Sequence, residues 1–139
     1  YPYKNLCAAA ISYKFSIALY KAMKKELTFE EELLVFASIA TVCDIVELLD
    51  ENRTIVSLGI KNIKKAPIGV IKLMHECGLN ESTCKASDIA FKLAPKINAS
   101  GRMGSAETSL ELYLEENQNN IKKICNQILE FNNQKIRFI

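Results

Sequence analysis

The chain has 139 residues, 49% of them apolar and 24% charged, the size and composition of one globular domain able to bury a core. Eighteen basic residues against sixteen acidic ones leave a net charge of +2, so bulk charge gives no argument for nucleic-acid or membrane binding, and any such argument must be local. Five cysteines, Cys7, Cys43, Cys77, Cys84 and Cys125, contain no CxxC pair. A disulfide framework or a zinc knuckle is not expected, and a reducing, cytoplasmic setting is. No apolar run reaches the ~18–20 residues of a membrane span, and no signal-peptide pattern is visible. The opening Tyr1-Pro2-Tyr3 fits an internal segment.

Periods near 3.6 dominate, and the expected class is all-α. Leu6, Ala10, Tyr13, Ile17 and Tyr20 mark one face of a first helix over roughly 4–25. Thr28 with Glu31 reads as a capping box opening a second helix, which runs through Leu33, Ala37 and Ala40 towards Asp44. A polar turn, Asp50-Glu51-Asn52, precedes a third pattern with Val56, Ile60 and Ile63. Pro67 suits the first turn of a fourth helix and Gly78 its stop, with Val70, Ile71 and Met74 as its stripe. After a polar loop, Asn80 to Lys85, Ser87 is expected to cap a short helix ending before Pro95. Residues 96–105 read as a loop and 106–115 as a sixth helix. Asn117 caps the last one, with Ile121, Ile124, Ile128 and Phe131 on its core side and a polar tail from Asn132 to Ile139.

Two features are candidates for chemistry. Asp44 is the only charged residue in Leu33–Val46, LLVFASIATVCDIV, and shares a helix face with Leu33, Ala37 and Ala40. A carboxylate on an apolar face costs several kcal/mol unless it is paired, hydrogen-bonded or metal-bound. The plain alternative is a helix-end aspartate that caps the next segment or pairs with Arg53. The second feature is the loop from Pro95 to Ser105, PKINASGRMGS. Its two glycines free the backbone, Lys96 and Arg102 add charge, and Asn98, Ser100 and Ser105 add donors. A helix N-terminus, which favours anions, follows. Arg102 has the fork geometry for a phosphate, and the plain alternative is an ordinary solvated helix–helix loop. His75, the one histidine, reads as a core or boundary residue, and Glu30-Glu31-Glu32 as a solvated first turn.

At these two places the sequence resembles the RecJ family of single-stranded-DNA exonucleases, within the DHH phosphoesterases. Three blocks match in order: YPYKNLCAAAISYKF (Tyr1 to Phe15), ASIATVCDIVELLDENRTIV (Ala37 to Val56) and IAFKLAPKINASGRMGSA (Ile89 to Ala106). The first is similar to the stretch soon after the DHH motif, the second to the block with a late aspartate metal ligand, and the third to a basic N-A-x-G-R-M loop. Ala8, Ala9 and Ala10 stand where the family usually has glycines, and Glu47 where it commonly has proline. A DxD pair, a second aspartate block, the DHH triplet and the C-terminal glycine-rich motif are absent from the sequence.

The resemblance implies an internal segment of a larger enzyme. Residues 1–116 would be the helical part of an α/β DHH catalytic core and 117–139 the start of a connector helix towards a further domain. It implies a Mn²⁺ or Mg²⁺ pair that activates water for in-line displacement at a phosphodiester, with Asp44 as one ligand and Thr41 shaping the helix end. Arg102 would contact the phosphate, with Lys96, Asn98, Ser100 and Gly101 around it. The implied partner is single-stranded DNA, taken from its 5′ end during recombination and repair. One aspartate cannot hold a metal pair, so the chain alone is expected to be inactive and to bind no metal tightly. The competing readings are a DHH phosphoesterase acting on short oligonucleotides, cyclic dinucleotides or pyrophosphate, and a non-catalytic helical binding module. Self-association through apolar surface is a further expectation.

Overall fold

A computed structural model describes residues 1–103 and 106–137, and among them the regular structure is helical throughout, with no strand, as expected. Two compact units divide at Ala66/Pro67. That division falls inside the 1–116 stretch.

In the first unit, α1 is Ala8–Ala22, α2 Glu30–Cys43 and α3 Asp50–Lys61, followed by a 3₁₀ turn, Ile63–Lys65. The helix α1 starts later than its periodicity suggests, because residues 1–7 are tied to a side chain of α3 and to the backbone just before it. The Tyr3 hydroxyl donates to Leu49 O at 3.2 Å, and Asn52 Nδ2 to Asn5 O at 2.7 Å. The Thr28 capping box does not form: α2 begins at Glu30, with Phe29 at the cap and no side-chain cap bond. Phe29 sits edge-to-face on Tyr20 at 5.8 Å, and three glutamates in the first turn supply the negative charge that helix N-termini favour. The triplet read as a turn, Asp50-Glu51-Asn52, is instead the first turn of α3. Glu51 is held there by the Tyr1 hydroxyl at 2.6 Å and Lys14 Nζ at 2.5 Å, partners far away in sequence.

Helix α2 is buried on most of its circumference, with Leu34, Val35, Ala37, Ser38, Ile39, Thr41 and Val42 inside. It lies so close to α3 that a Cβ on Gly59 would stand 2.2 Å from Ser38 Cβ. Helix α1 packs Ala10 and Tyr13 into a core with Cys7, Leu34, Ala37 and Ile55. Its other face exposes Ile11, Phe15, Leu19 and Met23, between 42% and 66% accessible. There Ser12 and Ser16 return their hydroxyls to Ala8 O and Ser12 O of the same helix.

In the second unit α4 is Ile68–Glu76, with Pro67 at its cap and Gly78 at φ +71 beyond its end, as the sequence indicates. Val70, Leu73 and Met74 are buried, while Ile71 is half-buried. The next stretch overturns the sequence reading. A short α5, Ala86–Asp88, passes through a π turn, Ile89–Leu93, directly into α6, Ala94–Met103. The start is capped by Asp88 reaching back to the Lys85 N–H at 3.1 Å, not by Ser87. The chain does not break at Pro95, because the widened turn closes Ala94 N–H onto Ile89 O and leaves proline, which has no N–H, in the first turn of α6, where it is tolerated. Helix α7 is Ala106–Leu114, and its Leu112 carbonyl lies 2.0 Å from where a Gly69 Cβ would be. Helix α8, Gln118–Arg137, is capped by Asn117 Oδ1 accepting from the N–H groups of Asn119 and Asn120 at 2.9 and 3.3 Å. Ile121, Ile124, Cys125 and Ile128 form its buried face.

Candidate functional site

Asp44 is the C-terminal cap residue of α2. The helix ends in a Schellman pattern: Ile45 N–H donates to Val42 O at 3.2 Å and Val46 N–H to Thr41 O at 3.3 Å. That pattern needs a left-handed residue after the cap, a place that favours glycine. Here it is Ile45, with φ +55 and 90% exposure. A β-branched side chain in that region costs about 1–2 kcal/mol. Such strain persists only where the surroundings hold it, and it gathers at functional sites.

The carboxylate of Asp44 is exposed, so the burial expected from its apolar neighbours does not arise. The apolar run is real, but α2 ends before Asp44 turns inward. The alternative pairing with Arg53 does not form either: no ion pair joins the two. Behind Asp44 the helix end is firm. Thr41 is fully buried, donates to Ala37 O at 2.6 Å and touches Cys7 Sγ at 3.4 Å. Burial, and then the charge of Asp44, push the Cys43 thiol up to about 12. Among the described residues no group of three or more His, Cys, Asp or Glu is arranged to hold a metal. An exposed carboxylate suits a hard divalent cation by its chemistry, but Asp44 offers one ligand only.

Asn52, which the sequence reading left in a turn, anchors the loop after Asp44. It is fully buried, and its Nδ2 donates to Asn5 O at 2.7 Å and Glu47 O at 3.0 Å. Its Oδ1 has no partner. The one local signal for it was an amide among the apolar positions of α3.

The 96–105 stretch is not a loop over its described part. Residues through Met103 are helical, and Gly104 and Ser105 lie outside the described residues. This changes what its polar groups can do. Ser100 is fully buried, donates to Ile97 O at 2.9 Å and shares a hydrogen bond with the Ser109 hydroxyl. It joins α6 to α7 rather than facing a ligand. Lys96 is half-buried; burial raises the thiol of Cys77, the C-terminal cap residue of α4, and the charge of Lys96 partly offsets that rise, at a helix end where a cation complements the dipole. Asn98 is half-buried, while Gly101 and Arg102 are exposed. A Cβ on Gly101 would meet nothing, so neither space nor backbone angle demands glycine there. The start of α7 already carries an acid, Glu107. Of the five residues grouped in sequence, Gly101 and Arg102 are therefore exposed, Lys96 and Asn98 half-buried and Ser100 buried.

No family model matches the chain. Individual proteins do. RecJ of Bacillus subtilis, a single-stranded-DNA-specific exonuclease, is 28% identical over all of this chain and 17% of its own length. RecJ of Escherichia coli is 26% identical over 92% of the chain and 24% of itself. RecJ of Thermus thermophilus is 31% identical over 69% of the chain and 14% of itself. Among solved structures, exonuclease RecJ bound to manganese superposes with a TM-score of 0.85 at 25% identity, over 98% of this chain and 34% of that one. Thermus thermophilus RecJ in complex with Mg²⁺ gives 0.76 at 26% identity, over 86% and 19%. The fold is thus that of a helical segment found within larger nucleases. The resemblance to RecJ exonucleases read from the sequence holds along the whole chain, which spans about a fifth of the length of the curated relatives it matches.

Proposed function

We propose that this chain is the aspartate- and arginine-bearing helical segment of a RecJ-like 5′-to-3′ exonuclease, specific for single-stranded DNA and acting in recombination and repair. The observation that carries the reading is the superposition of nearly the whole chain on a manganese-bound RecJ exonuclease. In this reading residues 1–116 contribute to an α/β DHH catalytic core, residues 117–139 lead into a connector, and the protein works in the cytoplasm.

The division of labour follows from exposure. Asp44 supplies one carboxylate ligand to Mn²⁺ or Mg²⁺, and the other ligands come from outside this chain. Those ions supply an activated water and neutralise charge at the phosphodiester. Arg102 grips a phosphate, most simply at the 5′ end, with Gly101 and Asn98 beside it. Ser100 joins α6 to α7, and Lys96 acts at the C-terminal end of α4. The chain by itself neither cleaves DNA nor holds the metal tightly. Its bare α1 stripe of Ile11, Phe15, Leu19 and Met23 makes the isolated chain self-associate.

The test moves two substitutions into the intact enzyme carrying this segment, on 5′-phosphorylated single-stranded DNA with Mn²⁺. Asp44→Asn lowers kcat by at least about 100-fold. Arg102→Ala lowers kcat/KM about 10- to 100-fold, as expected for a lost charged hydrogen bond. Wild-type turnover in both variants would sink the reading. Preferential hydrolysis of dinucleotides over long single strands would favour another DHH phosphoesterase instead.

A further inference from the structure

We infer that Asn52 is a positioning residue for Asp44, clamping the loop that follows α2 so that a strained backbone keeps the carboxylate aimed. The inference rests on the ligand role proposed for Asp44 and adds a residue to it.

The stretch Ile45 to Leu49 links α2 to α3 with no helix of its own; its first residue, Ile45 (φ +55), and the residue that follows it, Asp50 (φ +44), are left-handed. Neither residue is a glycine, so the conformation is imposed from outside. On the α2 side, Val46 N–H is tied to Thr41 O. On the α3 side, the Asn52 amide holds Glu47 O at 3.0 Å, and the Tyr3 hydroxyl holds Leu49 O at 3.2 Å. Asn52 also holds Asn5 O at 2.7 Å and lies 3.4 Å from the Tyr3 hydroxyl, which joins the loop to the extended N-terminal segment.

Burying an amide whose oxygen finds no partner is costly. An apolar side chain at position 52 avoids that cost and loses only the clamp. Both amide hydrogens are spent on backbone carbonyls, one on each segment, so the clamp is what the residue provides. Once Glu47 O is freed, Ile45 can leave the left-handed region. The peptide between Asp44 and Ile45 then turns, and the carboxylate turns with it.

The experiment uses the intact enzyme and the variant Asn52→Ser, read by amide hydrogen exchange and by Mn²⁺ titration of activity. Amides of Val46 to Leu49 are expected to exchange at least about tenfold faster while the core of α2 keeps its protection. The Mn²⁺ concentration for half-maximal activity rises by at least about tenfold, and kcat at saturating metal falls less. Adding Ile45→Gly, which accepts the left-handed angle without strain, recovers part of the loss. If Asn52→Ser unfolds the protein, Tyr3→Phe removes the hold on Leu49 O and the contact with Asn52 while leaving the amide on Glu47 O, and should move both readouts the same way by less. Unchanged exchange at 46–49, or a rise shared equally by α2 and α3, overturns the positioning role. An enzyme whose Mn²⁺ dependence ignores Asp44→Asn overturns the ligand assignment instead, while the exchange result still decides whether Asn52 clamps the loop.

Discussion

The end of α2 and the helix α6 carry the two sequence blocks that resemble a nuclease, and they treat polar residues in opposite ways. At the end of α2 a carboxylate expected inside an apolar face stands in solvent, with a strained Ile45 behind it. In α6, residues expected in an open loop are drawn into a helix, and Ser100 is sealed against Ser109. Polarity in the sequence therefore does not say which side chains meet a ligand. The backbone decides that, through a helix that stops early in one case and a π turn that carries a helix past a proline in the other.

The largest effects are expected at two glycines that set close helix contacts, Gly59 of α3 against α2 and Gly69 of α4 against α7. Gly59→Ala drives a Cβ into Ser38, and Gly69→Ala drives one into the Leu112 carbonyl. Each should cost about 3 kcal/mol or more, seen as a lower denaturation midpoint; an unchanged midpoint would mean that the helices are not in such close contact. Ser100→Val leaves the Ser109 hydroxyl without its partner and should cost about 2 kcal/mol. If Ser100 instead faces a ligand, stability stays level and only DNA binding suffers.

Two smaller effects sharpen the contrast. Ile45→Gly relieves the left-handed strain and should raise stability by about 1 kcal/mol. A loss of stability would show that Ile45 packs against something and that the strain is not real. Asp44→Asn and Arg102→Ala, both at exposed positions, should each change stability by less than about 0.5 kcal/mol. Thermal melts of the two variants check this, and a large drop in either would recast that residue as structural.

Much of the fold was legible in the sequence because it rests on local patterns. The 3.6 period located α2, α4 and α8, Gly78 marked a stop and Asn117 a cap. What was not legible depended on partners far along the chain. The start of α1 is set by Asn52 and Tyr3, the first turn of α3 by Tyr1 and Lys14, and the true start of α2 by a ring on Tyr20. Pro95 was read as a stop because a π turn, which offers its missing hydrogen bond a way round, leaves no mark in composition. For the proposed site, Asp44 stood out as the one charge in an apolar run and Arg102 as a charge beside two glycines. Asn52 did not, since it was read as part of a polar turn and its one signal, an amide among the apolar positions of α3, is weak without the backbone that buries it.

Cys43 sits beside Asp44 with its thiol pushed up to about 12, and Cys125 lies on the buried face of α8 with its thiol up to about 11. Only the thiolate reacts with alkylating reagents, so at neutral pH each is expected to react slowly while its helix stays closed. Cys43 belongs to the first compact unit and Cys125 to the second. The chain thus carries a native chemical clock in each half: the rate at which each thiol is labelled times the opening of its own unit, with no probe attached and no residue changed.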